Sequence, residues 1–211
     1  MRHATLAVPE LGTVEVEGMT RQAFILRSAL AAGAVYGIGT VGPFVGQALA
    51  QNKSGAEGDL EVLNFALTLE FLEAEFYRRA LKLDLSPASM TLARTLGQHE
   101  RDHIGALQET INSLDGTPVE APTVEFPMKN EQAFLKLAQT FEETGVSAYN
   151  GAAPRIESRE VLAAAGQIAQ IEARHAAAIR GARGEVTAPN AFDESLEMAA
   201  VLEAVQPFVK S

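Results

Sequence analysis

The chain has 211 residues, enough for one ordinary domain with an extension, and its hydrophobic content of 47% allows a sizeable core. It contains no cysteine, which excludes disulfides, thiolate metal sites and cysteine nucleophiles. The net charge of −10 argues against a nucleic-acid partner, because phosphate binding requires a basic surface.

The first fifty residues differ in composition from the rest of the chain. Residues 28–50 carry no charge, and they follow an arginine and a short apolar run, Arg21-Gln22-Ala23-Phe24-Ile25-Leu26. Ala48-Leu49-Ala50 provides the small residues that a signal peptidase requires. The segment resembles a twin-arginine export signal in which glutamine replaces the second arginine, and it is long enough to span a bilayer. We predict that residues 1–50 are an export signal or an N-terminal membrane anchor with membrane contact through residues 23–50, and an ordinary buried helix or hairpin is the alternative.

From residue 51 onward, apolar residues recur at three- and four-residue steps, which is the spacing of amphipathic helices. Ser86-Pro87 is typical of a helix start, and Asp115-Gly116-Thr117-Pro118 is typical of a helix end. No segment shows convincing two-residue alternation, so no strand is predicted. The pattern predicts four long helices and a short C-terminal one, over residues 57–83, 87–113, 129–152, 157–182 and 195–205.

The connections between these helices predict how the helices are arranged. The breaks within the first pair and within the second pair are very short, so the helices of each pair must run antiparallel. Residues 114–128 form a longer connection that contains one glycine of the stop signal and three prolines. Fifteen extended residues reach about 50 Å, more than the length of about 40 Å of a 27-residue helix. We therefore predict an all-α fold for residues 51–211, the ferritin-like four-helix bundle of two antiparallel hairpins joined by a long crossover.

One constellation of polar residues occurs twice, with a constant spacing of 72 residues between the copies. Each copy has a Glu, a Tyr seven residues later, and a Glu-x-x-His step that begins thirty residues after the first Glu. The first copy is Glu70, Tyr77, Glu100 and His103, and the second copy is Glu142, Tyr149, Glu172 and His175. Glu and His three residues apart share one face of a helix and can bind the same metal ion. The pattern is that of the di-iron and di-manganese carboxylate bundles, in which two helices each provide a Glu and two each provide Glu-x-x-His.

The charges of this set predict two divalent ions. Four carboxylates carry a charge of −4, and their burial without compensation would be very unfavourable. Oxygen ligands with one imidazole per ion favour iron or manganese. We expect the first Glu of each copy and each His to bind one ion, and the Glu of each Glu-x-x-His step to bridge both ions. Each Tyr would hydrogen-bond a ligand carboxylate from across the bundle.

Simpler interpretations of some residues stay open at this stage. Either tyrosine could be a core aromatic with a solvated hydroxyl. Glu73 could be an extra ligand, but its counterpart in the second copy is Gly145, which favours a surface role. Glu143 competes with its neighbour as a ligand but lacks the constant spacing. His99 has Ile171 as its counterpart, so it is expected to lie outward or to support a ligand.

Two segments carry a resemblance to a known family. Residues 63–77 (LNFALTLEFLEAEFY) resemble the first helix of the ferritin-like domain family that includes desiccation-related proteins, and residues 141–149 (FEETGVSAY) are similar to its third helix. The resemblance covers about residues 59–182, four helices in order. It implies the fold and the positions of the metal ligands, and export signals are common in such proteins. It implies much less about the reaction.

Three functions fit these residues. The first is an oxidoreductase that uses two iron or manganese ions with O2 or peroxide, either as a ferroxidase or in peroxide dismutation. The second is metal binding or storage without turnover, for which a homo-oligomer would be required. The third is a stress- or desiccation-related protective or interaction protein whose metal site is structural or vestigial. The first is favoured, in a protein that is exported to the periplasm or the extracellular space, or anchored in the membrane if residues 1–50 are not cleaved.

Overall fold

The structure is a computed structural model that describes residues 15–16, 19–20 and 56–210. The chain falls into two units, Met1–Phe44 and Val45–Ser211. The predicted export signal or anchor lies almost entirely outside the described residues, so that assignment and the boundary at its end stay predictions. Among the described helices, none is long and apolar enough to cross a membrane.

In the first unit, the described residues form two short antiparallel strands, β1 (Glu15–Val16) and β2 (Met19–Thr20). The sequence pattern predicted no strand. Strands of two residues are too short to show the alternation by which a strand is recognised, and the pattern therefore missed them.

The second unit is helical in its described part, which confirms the predicted all-α class of the bundle. Its helices are α1 (Ala56–Ala80), α2 (Pro87–Ser113), α3 (Glu131–Ala152), α4 (Arg159–Ala182) and α5 (Met198–Val205). Single turns of 3-10 helix, Ala153–Arg155 and Gln206–Phe208, follow α3 and α5. Every helix end lies within three residues of its predicted position.

Side-chain caps determine where three of these helices begin. Ser86, Asn130 and Ser158 each accept a hydrogen bond from the backbone N–H three residues further on. Each cap satisfies an N–H group that has no partner within its helix. Pro87 occupies the first position of α2, where the missing N–H has no effect on the helix. The caps before α3 and α4 are the reason that both helices begin two residues later than the apolar pattern predicted.

The long helices form two hairpins joined by a crossover. In the first hairpin α1 packs against α2, in the second hairpin α3 packs against α4, and contacts of α1 with α3 and of α2 with α4 join the two. The crossover lies beside the last residues of the chain. The N–H of Glu125 donates to the carbonyl of Phe208, and the N–H of Lys210 donates to the carbonyl of Thr123, both at 2.8 Å. This arrangement confirms the ferritin-like topology predicted from the connection lengths.

The bundle core is apolar around a polar centre. Phe76 packs against three other phenylalanines with ring centroids 4.9–5.6 Å apart, namely Phe126, Phe134 and Phe141. Buried aromatic side chains of this size contribute strongly to folding, at about 25 cal/mol per Å² of apolar surface. Four glutamates are also fully buried, Glu70, Glu100, Glu142 and Glu172. Their position in the core requires a specific explanation, because carboxylates are almost never fully buried unless they are paired.

The C-terminal segment covers α3 on the outside of the bundle, as predicted. The N–H of Leu196 donates to the carbonyl of Ser147 at 3.0 Å. A Cβ atom at Gly151 would lie 1.9 Å from the carbonyl oxygen of Leu196, so this close approach requires glycine. α5 then buries Met198, Val201 and Val205.

Candidate metal centre

The structure brings the six predicted ligand residues into one cluster in the middle of the bundle. α1 and α3 contribute one glutamate each, Glu70 and Glu142, and α2 and α4 contribute Glu100 with His103 and Glu172 with His175. The four carboxylates are 0% exposed. The two imidazoles retain 11% and 4% exposure of their side chains. The repeated spacing therefore identified residues that lie together in space.

The cluster divides into two overlapping groups of potential ligand atoms. One group is Glu70, Glu100, His103 and Glu172, and the other is Glu100, Glu142, Glu172 and His175. Within each group, one oxygen or nitrogen atom per residue lies within 4.8 Å of all the others. Glu100 and Glu172 belong to both groups, as the bridging role would require. The arrangement therefore offers two adjacent cation positions that share two carboxylates.

Several buried atoms of the cluster have no hydrogen-bond partner among the described residues. They are Glu100 Oε1, Glu142 Oε2, both carboxylate oxygens of Glu172, and His175 Nδ1. The Nδ1 atom of His175 lies 3.1 Å from Glu100 Oε1 and 3.2 Å from Glu142 Oε2, but none of these contacts has the direction of a hydrogen bond. Buried polar atoms without a partner are unfavourable, and neighbouring carboxylates repel one another. The residues fit a pair of cations, which would offset both effects.

Burial and mutual repulsion change the pKa values of these groups. Burial and then repulsion from Glu100 raise the pKa of Glu172 well above its usual range. Burial also raises the pKa of Glu100, to about 7, against the hydrogen-bonding effect of His103 and His175. Burial acts in the same direction on Glu70, but attraction to His103 outweighs it and lowers the pKa of that carboxyl. Burial lowers the pKa of His175, but the adjacent Glu100 and Glu142 carboxylates outweigh it and raise the value to about 10. A bound cation would have to compete with these protons.

Two tyrosines reach across the bundle to the ligand carboxylates. The hydroxyl of Tyr77 in α1 donates to Glu142 Oε1 in α3. The hydroxyl of Tyr149 in α3 donates to Glu70 Oε1 in α1 at 2.5 Å. Burial and the carboxylates raise the pKa of both phenols well above the usual range, so both remain donors. Both rings are buried, and the predicted contacts to ligand carboxylates are the ones observed, rather than solvated hydroxyls.

Glu73 is buried, and the surface role favoured by its missing counterpart is wrong. The residue is 3% exposed. A Cβ atom at Gly145 would lie 3.4 Å from Glu73 Oε1 and 3.0 Å from Glu172 Oε2. Burial, followed by repulsion from Glu172 and Glu142, raises the pKa of Glu73 well above its usual range. The glycine in the second copy was taken as the absence of a role, whereas it provides the space that the carboxyl group occupies.

His99 contacts a ligand histidine from the opposite hairpin. Its Nδ1 atom lies 2.9 Å from Nε2 of His175, and the side chain is half-buried. Burial and the positive charges of His175 and His103 lower the pKa of His99. Of the two roles left open by the sequence, support of a ligand is the one that the contact favours.

Sequence reasoning missed a second set of contacts with the same spacing. Asp59 in the first turn of α1 accepts hydrogen bonds from the N–H groups of Glu157 and Ser158, at 2.8 and 3.0 Å, just before α4. Glu131 in the first turn of α3 accepts a hydrogen bond from the hydroxyl of Ser86 at 2.6 Å, just before α2. Asp59 and Glu131 are 72 residues apart, as are the two serines. An extension of the repeat towards the helix starts would have revealed them.

The sequence profile of the ferritin-like domain family matches residues 58–185. The chain belongs to the ferritin-like domain family. The match covers most of α1 and all of α2, α3 and α4, which are the helices that form the ferritin-like carboxylate cluster. A search of the curated proteins found no similar sequence.

Proposed function

We propose that this ferritin-like protein binds two iron or manganese ions and uses them in a redox reaction with O2 or peroxide. The observation that carries the proposal is the convergence of four fully buried carboxylates and two imidazoles, with unpaired ligand atoms, in two overlapping groups. Carboxylate oxygens with one imidazole per ion suit iron or manganese. When bound, such ions supply electron transfer and activation of the oxidant.

The residues of the cluster would divide the work of holding two ions. The ligands used by one ion alone are Glu70 with His103 for the first position and Glu142 with His175 for the second. The bridging ligands are Glu100 and Glu172. The two tyrosines orient the carboxylates that belong to one ion, because each donates its hydroxyl hydrogen to such a carboxylate from the facing helix.

Burial of the cluster supports a small substrate. All four carboxylates are fully buried, and only the edges of the two ligand histidines reach the surface. O2 and hydrogen peroxide are small enough to approach through such narrow openings, whereas a larger organic substrate would require the helices to separate. Peroxide dismutation and iron oxidation are therefore the reactions that we favour.

Metal analysis of the full-length protein is the first test. The protein would be purified without chelator, and we expect about two iron or manganese atoms per chain. If fewer than a few tenths of an atom per chain bind after anaerobic reconstitution, the proposal is wrong.

The second test distinguishes the reactions. Metal-loaded protein would receive hydrogen peroxide while released O2 is measured, and in a separate assay Fe(II) and O2 while ferric product is followed. Release of O2 would support dismutation, and formation of ferric product would support a ferroxidase. Failure of both reactions in protein that holds two ions would contradict the redox proposal and favour the second candidate.

The second candidate is a protective or interaction protein in which the metal is structural. The complete burial of the carboxylates favours it, because a closed site holds ions well and exchanges substrate poorly. Each position also takes ligands from both hairpins, so bound ions would tie the bundle together. This candidate predicts a higher melting temperature on metal loading without either reaction.

We propose in addition that residues 1–50 direct export or anchor the chain in a membrane. The support is the uncharged run of residues 28–50 and the Ala-x-Ala step at its end. Expression in a bacterial host, followed by fractionation and N-terminal mass analysis, tests this. A mature chain that begins at Gln51 indicates cleavage, an intact membrane-bound chain indicates an anchor, and an intact soluble cytoplasmic chain contradicts both. Light scattering on the same sample determines whether a homo-oligomer forms.

A further inference from the structure

The two copies of the constellation differ at the residue just before each Glu-x-x-His step. The first copy has His99 and the second has Ile171. His99 lies in α2, yet it contacts His175 in α4. The Nδ1 atom of His99 is 2.9 Å from Nε2 of His175, and the two rings are stacked at 15° with centroids 5.2 Å apart. The first hairpin therefore supports the ligand histidine of the second hairpin.

The ligand histidine of the first hairpin lacks this support. Nδ1 of His103 faces the carboxylates, 3.1 Å from Glu70 Oε2 and 3.0 Å from Glu100 Oε2. Within residues 56–210, no protein group hydrogen-bonds to its Nε2. The counterpart of His99 in the second hairpin is Ile171, whose aliphatic side chain offers neither a donor nor an acceptor.

The contact with His99 determines which nitrogen of His175 is free to bind a cation. Nδ1 of His175 faces Glu100 and Glu142, and a neutral imidazole nitrogen that binds a metal cannot also carry a proton. The hydrogen of the ring must therefore be on Nε2, which donates it to Nδ1 of His99. Such partners fix the tautomer and the orientation of a ligand histidine, and their loss typically weakens metal binding about 10–100-fold.

Glu73 adds a second difference on the same side of the cluster. Its Oε1 atom and Glu172 Oε2 both approach the position of a Cβ at Gly145, at 3.4 and 3.0 Å. Gly145 follows Glu142 by three residues, about one turn along α3. The position near Glu70 has no equivalent carboxyl group, because the counterpart of Glu73 is Gly145 itself. A fifth carboxyl group is therefore available to one of the two positions only.

We propose that the two metal positions are unequal, and that the position of Glu142 and His175 is the tighter one because His99 positions the His175 ring. The proposal rests on the proposed binding of two ions. One ion should bind first on the side of the second hairpin, and the other should follow at Glu70 and His103.

An anaerobic titration of metal-free, full-length protein with Co(II) tests the proposal, with calorimetry and the visible spectrum as readouts. We expect two resolved binding steps. His99→Ala should weaken the tighter step about 10–100-fold and leave the weaker step unchanged. Ile171→Ala is the matched control at the equivalent position, and both steps should remain. His99→Gln, which keeps a hydrogen-bond acceptor, should restore part of the affinity, which a purely structural role of the ring would not explain.

Two further variants assign the steps to their positions. Glu142→Gln should remove the tighter step, and Glu70→Gln should remove the weaker one. Equal affinities in the wild type, an unchanged tighter step in His99→Ala, or the reverse assignment of the two steps would each overturn the proposal. Wild-type protein that binds no Co(II) would instead overturn the proposed metal binding, so the two failures are distinguishable.

Discussion

The first hairpin and the second hairpin carry the same polar residues at a spacing of 72, and each hairpin uses them on the other. The tyrosine of α1 bonds to the glutamate of α3, and the tyrosine of α3 bonds to the glutamate of α1. The acid in the first turn of α1 binds the start of α4, and that of α3 binds the start of α2. The repeated residues therefore specify how the hairpins dock as well as what they hold.

The positions at which the hairpins differ are as informative as those that they share. His99 faces Ile171 across the repeat, Glu73 has Gly145 as its counterpart, and Gly97 has Ala169. The shared residues form the two cation positions. The residues that differ give those positions different surroundings, and they can be exchanged or removed without loss of the six ligands.

Loss of the histidine from both copies should have the largest effect. In the double variant His103→Ala and His175→Ala, we expect bound metal to fall from about two ions to nearly none, because each position loses its imidazole. Helix content should stay near normal, since little apolar packing is lost. Elemental analysis and far-UV circular dichroism measure the two quantities.

The matched control for that variant is Asp102→Ala with Arg174→Ala. These two residues are exposed, adjacent to the histidines and equivalent in the repeat. The control should retain its metal. Wild-type metal content in the histidine variant would show that the ligands are elsewhere.

Removal of a shared ligand should affect more metal than removal of an unshared one. Glu172→Gln changes a carboxylate that belongs to both groups, whereas Glu142→Gln changes one that belongs to a single group. We expect Glu172→Gln to retain fewer than one ion per chain and Glu142→Gln to retain about one. Elemental analysis after anaerobic reconstitution measures both, and equal losses would contradict the bridging role.

Rising pH should weaken the docking of the two hairpins in metal-free protein. The pKa of Glu100 is raised to about 7, so the folded state keeps a proton that the unfolded state releases near pH 4.5. Stability is therefore lost as the pH rises through this range, by an amount on the order of 3 kcal/mol for a difference of this size. Glu73 and Glu172 act in the same direction. The pKa of His175, raised to about 10, adds a stabilisation that is complete below pH 6.5 and lost towards pH 10.

Thermal unfolding of chelator-treated protein at pH 5 and pH 8 measures this effect. The melting temperature should be lower at pH 8. Metal loading should reverse the trend, because cations bind the deprotonated ligands and release protons. A metal-free protein that is more stable at pH 8 would contradict the raised carboxyl pKa values.

Gly97→Ala should have the smallest effect of the four, and it tests a difference between the hairpins outside the ligand set. A Cβ atom at this position would lie 2.7 Å from Cβ of Tyr77, so α1 and α2 would have to separate. We expect a loss of about 1–3 kcal/mol in the free energy of unfolding. Gly105→Ala in the same helix is the control, because its Cβ would have nothing within 4 Å. It should gain about 0.5–1 kcal/mol. Urea unfolding of both variants measures the difference, and equal stability would show that the close contact is not tight.

Much of this bundle could be predicted from its sequence, because the signals were local or repeated. Ser86 and Pro87 mark a helix start through backbone chemistry, and the constant spacing selects the six residues that the structure brings together. The rest depended on tertiary packing. The burial of Glu73 depends on a gap in a helix that is remote in sequence, and the partner of His99 belongs to the opposite hairpin. Neither relation leaves a periodic signal in the chain.

The two shared carboxylates have a further consequence for unfolding. Glu100 and Glu172 are separated by 72 residues that include the whole crossover, so an ion held by both closes a long loop. A reversible cross-link of this kind removes conformational entropy from the unfolded chain, in principle most where the loop is long. Chelation would then do more than lower the melting temperature. It would allow the two hairpins to open separately, and a single cooperative unit would become two.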